Sequence, residues 1–159
     1  MLYFAYGSNM HPGQMQKRCP GCTVVAPARL KDHRLVFSRV WAPWGGGGVA
    51  DIQPAVGGVV EGVVWEITEA HREALDTYEE YPTAYIRKDV VVETFDERTL
   101  AAFAYFARPV GSYQPSRRYL RQIIEGARAH GLSPEYVTFL ESFGEVAGSP
   151  RPENSGAQG

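Results

Sequence analysis

The 159-residue sequence has few cysteines, no marked excess of one charge and no long apolar run. Its formal net charge is −2, so electrostatics favour neither a nucleic acid nor an anionic membrane as a partner. No apolar run approaches the ~18 residues that span a bilayer, and the N-terminus lacks a basic segment followed by a long apolar one. We therefore expect a cytoplasmic protein that binds neither nucleic acid nor membrane.

The two cysteines, Cys19 and Cys22, belong to a single Cys-Pro-Gly-Cys segment. This spacing is compatible with half a zinc site or with a thiol redox pair. A structural zinc site needs two further ligands, and the four histidines are scattered without a paired spacing that would supply them. A simple turn with two incidental thiols is the favoured interpretation, and a thiol or zinc protein is the less favoured alternative.

Motifs for several well-known chemistries are also missing. The sequence has no Gly-x-Ser-x-Gly elbow, no phosphate loop with Gly-Lys-Ser/Thr, no Gly-x-Gly-x-x-Gly and no His-Glu-x-x-His. Because each motif serves a particular nucleophile, nucleotide or metal, we expect an activity that needs no cofactor and no metal.

The secondary-structure signals predict one domain with strands in its first half and helices near its end. Strands are expected at 3–6, 23–26, 34–40, 49–53, 59–67, 86–95 and 100–108, with a hairpin turn at 96–99. Helices are expected from Pro12, from Thr68 to Tyr81, from Ser116 to Gly131 and from Ser133. The length fits a single domain over 1–146, and the Pro/Gly-rich segment 147–159 is predicted to be a disordered tail.

The first strand breaks into Gly7-Ser8-Asn9 just before Pro12. Glycine at the apex of such a corner lets a ligand approach the main chain closely. The first helical turn adds unpaired N–H groups and the positive end of the helix dipole. The corner therefore suits a carboxylate or a developing oxyanion.

The helix after Thr68 carries a candidate general acid/base. Glu79 lies four residues after Leu75, at the edge of the predicted apolar face, whereas Glu80 turns toward solvent. Partial desolvation would raise the pKa of such a carboxyl group toward neutrality. On spacing alone, an ordinary exposed glutamate at a helix end is the simpler interpretation.

The loop from Trp41 to Gly48 combines two tryptophans with four glycines. It is compatible with a lid or a pocket wall, because exposed indoles are costly without a purpose. A flexible hairpin connection whose indoles pack on the core is the slightly favoured interpretation. The sequence leaves both possibilities open.

Two distant segments together resemble the γ-glutamylcyclotransferase family. The family's first strand reads much like Tyr3-Phe4-Ala5-Tyr6-Gly7-Ser8-Asn9, and its Leu-Asp-x-x-Glu catalytic segment matches Leu75-Asp76-Thr77-Tyr78-Glu79. The resemblance covers nearly everything before the tail. It implies an α+β fold, a small mixed β-barrel flanked by helices. It also implies a cofactor-independent enzyme for a small γ-glutamyl substrate, present as a monomer or a homodimer.

The resemblance further implies a reaction and a set of site residues. The α-amine of a γ-glutamyl amide attacks its own side-chain carbonyl, which releases 5-oxoproline and a free amine or amino acid, with Glu79 as general acid/base. The implied substrate-binding residues are Tyr3, Phe4, Ala5, Tyr6, Gly7, Ser8 and Asn9, with Tyr113 as a further contact. The chain departs from the family at Glu80, where many members have glycine, and the leaving amine is left undefined. A non-catalytic binding module with the same pocket is the alternative.

Overall fold

The structure is a computed structural model that describes residues 1–44 and 46–145, so the tail predicted at 147–159 lies outside the described residues. The strands are β1 (Leu2–Ala5), β2 (Thr23–Val40), β3 (Gly48–Glu66), β4 (Tyr85–Thr94) and β5 (Thr99–Ala107). The helices are α1 (Pro12–Arg18), α2 (Glu69–Tyr78), α3 (Arg117–Ala129) and α4 (Pro134–Ser142). Short 3-10 helices occupy Ser8–Met10, Ala42–Trp44 and Phe143–Glu145. None of the described helices combines the length and apolar character needed to cross a membrane.

The strands form a closed barrel in the order β1-β3-β2-β4-β5. Four of the strand pairs are antiparallel, and the barrel closes through a parallel pair between β1 and β5 at Tyr3 and Phe103. This mixed barrel with flanking helices confirms the predicted α+β class.

Four of the predicted strands merge two by two into the long strands β2 and β3. The segments predicted at 23–26 and 34–40 both belong to β2, and those at 49–53 and 59–67 both belong to β3. The two strands pair from Thr23 opposite Glu66 to Val40 opposite Gly48, with three shifts of register on the way. Such irregularities increase strand twist and bending, so a long hairpin can curve around the barrel without breaking.

Helix α2 begins as predicted but ends three residues early. The Thr68 hydroxyl accepts a hydrogen bond from the His71 N–H at 3.1 Å, which caps the first turn. The helix ends at Tyr78 instead of Tyr81, because the backbone of Glu80 has a left-handed φ of 54° that cannot continue the helix. Glu79 is therefore the C-terminal cap of α2.

Helix α3 packs directly against the corner that follows β1. A Cβ atom placed on Gly126 would lie only 2.7 Å from the His11 nitrogen and 2.7 Å from the Met10 carbonyl carbon. The same face of α3 buries Ile123 and Ala127 in the core. The absence of a side chain at Gly126 thus allows the helix to hold the corner at close range.

Candidate functional site

A cavity is lined both by the corner after β1 and by the end of α2. The predicted site residues Tyr3, Tyr6, Gly7, Ser8, Asn9 and Glu79 all contribute to its lining. The structure thus brings the donor-rich corner and the candidate acid/base to one cavity, although about seventy residues separate them in the sequence.

Three of the predicted substrate-binding residues do not line the cavity. Phe4 and Ala5 are buried in the hydrophobic core, where they pack β1 against its neighbours. Tyr113 lies on the loop after β5, is 39% exposed, and donates its backbone N–H to the Phe37 carbonyl at 2.9 Å.

The carboxyl group of Glu79 makes no hydrogen bond or ion pair with any described residue, although its backbone N–H closes the last turn of α2 on the Leu75 carbonyl. Burial raises the pKa of Glu79 from its ordinary value of 4.5 to about 7. The nearby charge of Arg18 opposes this rise, and the charge of Asp76 adds to it. A carboxyl group with such a pKa exchanges protons readily near neutrality.

The corner itself is a 3-10 turn whose first bond runs from the Met10 N–H to the Gly7 carbonyl at 3.0 Å. The N–H groups of Ser8 and Asn9 precede that bond and are not used by the turn. The Gln14 amide fixes the side chains of both residues, donating to Ser8 Oγ and to Asn9 Oδ1 at 2.8 Å each. The corner is therefore held in place by α1.

Sequence reasoning missed Arg18, which also lines the cavity. Its Nη1 donates to Asn9 Oδ1 at 3.0 Å, and its guanidinium lies 4.2 Å from the centre of the Tyr78 ring. The available signal was the four-residue spacing from Gln14, which places both side chains on one face of α1 toward Asn9. Arg18 thus connects the corner to the end of α2.

Three cavity tyrosines use their hydroxyl protons within the protein. Tyr6 donates to the Tyr105 carbonyl at 2.6 Å, Tyr85 to the Ala50 carbonyl at 2.7 Å, and Tyr105 to Asp76 Oδ1 at 2.6 Å. Because a carbonyl or a carboxylate only accepts, each phenol oxygen has lone pairs left for a donor in the cavity. Burial raises the pKa of all three phenols, so they stay neutral.

Two further tyrosines have the opposite arrangement. The Tyr119 oxygen accepts the Ala50 N–H at 2.8 Å, and the Tyr3 oxygen accepts the Asn9 side-chain N–H at 3.0 Å. An arginine only donates hydrogen bonds, so the Asn9 side-chain atom that faces Arg18 must be the oxygen Oδ1. The atom that faces Tyr3 is therefore the amide nitrogen, which donates to the Tyr3 oxygen. Tyr3 and Tyr119 therefore retain hydroxyl protons that they can donate to a ligand.

The tryptophan loop forms one wall of the cavity. Trp41 and Trp44 both contribute to the lining, and the Trp44 ring lies 5.0 Å from the Tyr119 ring. Arg118 covers Trp44 at 4.7 Å. The loop is thus a connection between β2 and β3 whose buried indole also shapes the pocket.

The two cysteines lie outside the cavity lining, and both thiols are buried. Cys19 Sγ donates to the His71 carbonyl at 3.8 Å, and Cys22 Sγ to the Met15 carbonyl at 3.9 Å. Burial raises the pKa of Cys19 to about 11, so at neutral pH it is a thiol and not the reactive thiolate. Within residues 1–44 and 46–145, no three His, Cys, Asp or Glu side chains are grouped as metal ligands.

The sequence and the fold are similar to proteins of known family. The family model for gamma-glutamyl cyclotransferase, AIG2-like proteins matches residues 3–129. The chain is 33% identical over 150 residues to the gamma-glutamylcyclotransferases of Bos taurus and Homo sapiens, covering 89% of this chain and 78% of each relative. A solved gamma-glutamyl cyclotransferase structure matches with a TM-score of 0.85 and 30% identity, covering 97% of this chain and 90% of that one. The range matched by the family model includes every residue that lines the cavity.

Proposed function

The chain belongs to the gamma-glutamyl cyclotransferase, AIG2-like family, and on that premise we propose that it converts a γ-glutamyl amide into 5-oxoproline and a free amine. One observation carries the proposal. Glu79, whose carboxyl group has no partner among residues 1–44 and 46–145, lines the same cavity as the corner residues Gly7, Ser8 and Asn9. General acid/base chemistry on a carbonyl group needs these two features together.

The proposed reaction is intramolecular. The substrate α-amine attacks the γ-carbonyl carbon, so that a new C–N bond closes the five-membered ring and the original amide C–N bond breaks. Holding the substrate folded brings the two reacting groups together, an effect worth up to about 7 to 11 kcal/mol of the barrier. The main task of the cavity is then to select the folded conformer and to move a proton.

Glu79 is the proposed proton carrier. With a pKa of about 7, Glu79 can change its protonation state near neutral pH. The carboxylate removes a proton from the substrate ammonium, and the resulting acid delivers that proton to the departing nitrogen. One side chain thus acts first as base and then as acid.

The proposed orientation of the γ-glutamyl group follows the distribution of donors and acceptors. The phenol oxygens of Tyr6, Tyr85 and Tyr105 accept hydrogen bonds, so they suit the ammonium group. The corner N–H groups and the hydroxyls of Tyr3 and Tyr119 suit the carboxylate and the oxyanion of the tetrahedral intermediate. In this proposal Phe4 and Ala5 act only as supports for β1.

Direct detection of 5-oxoproline tests the function. The purified protein is incubated with γ-glutamyl-alanine, and the products are separated and quantified. We expect turnover by the wild type and a loss of about 10²- to 10⁴-fold in kcat for Glu79→Gln, which keeps the shape of the side chain but cannot shuttle the proton. Glu80→Gln is the matched control and is expected to have a mild effect.

The same assay separates the alternatives. Equal losses in both variants would mean that Glu79 is not the acid/base. Ligand binding by the wild type without 5-oxoproline would favour the non-catalytic binding module. A Cys19→Ser, Cys22→Ser double variant should retain activity below its melting temperature, because neither thiol lines the cavity. Abolished turnover in that variant, with the fold intact, would favour thiol chemistry.

A further inference from the structure

A carboxylate is buried in the core of the barrel without a positive partner. Asp51 lies on β3 and is 1% exposed. Its Oδ1 accepts the N–H groups of Ile52 at 2.7 Å and Ala107 at 2.9 Å, and its Oδ2 accepts the Ser38 hydroxyl at 2.8 Å. An ionised carboxyl group only accepts hydrogen bonds, so this pattern is that of the charged form. Within residues 1–44 and 46–145, no cationic group lies within ion-pair distance of Asp51.

Two other carboxylates that are buried or partly buried are compensated. Asp76 pairs with Arg72 at 2.8 Å and with Arg87 at 3.1 Å. Glu61 accepts two hydrogen bonds from the N-cap residue of α4, at 2.9 and 2.8 Å, where the positive end of the helix dipole lies. A buried charge without such compensation is unfavourable, and a cationic ligand group nearby would offset part of that cost. Asp51 is therefore the buried carboxylate that a positively charged ligand would stabilise.

The main-chain groups around Asp51 are also the ones that orient two cavity tyrosines. Tyr85 donates its hydroxyl proton to the carbonyl of Ala50, the residue directly before Asp51. Tyr6 donates to the Tyr105 carbonyl on β5, the strand whose last residue donates its N–H to Asp51. Burial is the main cause of the raised pKa of both phenols, and the negative charge of Asp51 adds to it. Asp51 itself is not part of the cavity lining, so its charge acts on the cavity through these tyrosines.

We propose that Asp51 is a positioning residue whose negative charge holds the substrate ammonium against Tyr6 and Tyr85, so that the site selects γ-glutamyl groups with a free α-amine. This inference rests on the proposed function and adds a long-range contribution to the hydrogen bonds of the phenols. Glu79 acts on the same two hydroxyls from the end of α2. The ammonium is then attracted by two carboxylates, of which only Glu79 lines the cavity and takes the proton.

Equilibrium binding to the Glu79→Gln protein tests the proposal without turnover. γ-Glutamyl-alanine and glutaryl-alanine differ only in the α-ammonium group, and calorimetric titration gives the affinity of each. With residue 79 neutral, we expect γ-glutamyl-alanine to bind at least about ten-fold more tightly, which is the order expected of a charge acting over several ångströms in a partly desolvated site. Adding Asp51→Asn should lower this ratio about ten-fold, while the affinity for glutaryl-alanine changes little.

Two further variants separate the charge of Asp51 from its structural contacts. Ser38→Ala removes one hydrogen bond of the carboxylate but leaves the charge, so its affinity ratio should equal that of the Glu79→Gln parent. Asp51→Thr is a second neutral variant that suits a strand and keeps a hydroxyl acceptor, and it should lower the ratio as Asp51→Asn does. In the presence of Glu79, Asp51→Asn should raise KM for γ-glutamyl-alanine with little change in kcat.

The outcomes separate this proposal from the proposed function. Equal affinities of Glu79→Gln for the two ligands would overturn the role of Asp51, even if neither Asp51 variant folded. An unchanged ratio in a folded Asp51 variant, or an equal fall in Ser38→Ala, would overturn it as well. If the ratio fell as expected but the wild type formed no 5-oxoproline, the proposed function alone would fail.

Discussion

The partly buried carboxyl group of Glu79 should make the stability of the protein depend on pH in a way that needs no substrate. In the unfolded chain its pKa returns to about 4.5, whereas burial holds it near 7 in the folded state. The folded protein therefore binds more protons than the unfolded chain between these two values. Stability from this group is complete below pH 4.5 and is lost as the pH rises through 7.

The expected magnitude follows from the two pKa values. A change of about 1.36 kcal/mol for each pH unit between 4.5 and about 7 amounts to about 3 kcal/mol. Glu79→Gln replaces the carboxylate by a neutral group of nearly the same shape, and no hydrogen bond of the carboxyl group is lost. The variant should therefore be about 3 kcal/mol more stable than the wild type at pH 8 and equally stable at pH 4.

Thermal unfolding of both proteins across pH 4 to 8 measures this difference. For a chain of this length, about 3 kcal/mol corresponds to an increase of roughly 6 to 12 °C in Tm at pH 8. Glu80→Gln, which alters an exposed carboxylate, is the control and should follow the wild-type curve. Parallel curves for Glu79→Gln and the wild type would refute the assignment of a desolvated, proton-binding carboxyl group at this position.

Further predictions concern the charges around Glu79 and the packing of α3. Asp76→Asn removes a charge that raises the pKa of Glu79, so the acidic limb of kcat/KM against pH should move to lower pH. Arg18→Gln should move it to higher pH, and shifts in the same direction would contradict this account. Gly126→Ala adds a methyl group 2.7 Å from the His11 nitrogen. We expect a loss of about 1 to 3 kcal/mol in urea unfolding despite the better helix propensity of alanine, and a more stable variant would contradict the close packing.

Local signals in the sequence were sufficient for the helix starts. The hydroxyls of Ser116 and Ser133 accept the N–H groups of Tyr119 and Tyr136 at 3.2 Å each, as N-cap residues do. Such contacts span three residues, so they can be read without knowledge of the fold. The end of α2 could not be predicted in this way. It depends on the left-handed backbone conformation of Glu80, and glutamate does not favour that conformation.

Features that depend on distant pairing were not predictable from local patterns. β2 appeared as two strands because its continuity depends on β3 as a partner along its whole length. In the site, the corner and Glu79 were predicted, since each belongs to a short recognisable segment. Arg18, Arg39 and Tyr105 were missed, because only the closed barrel brings α1, β2 and β5 to the same cavity.

The tyrosine hydrogen bonds to Ala50 have a consequence for how this enzyme can diversify. Tyr85 and Tyr119 are fixed by the main chain of β3, so the inner part of the site is ordered before any ligand arrives. Trp41 and Glu80 belong instead to connecting segments, where a substitution breaks no hydrogen bonds between strands. Selectivity for new substrates can therefore evolve, or be engineered, by exchanging the outer residues while the preorganised interior is inherited unchanged.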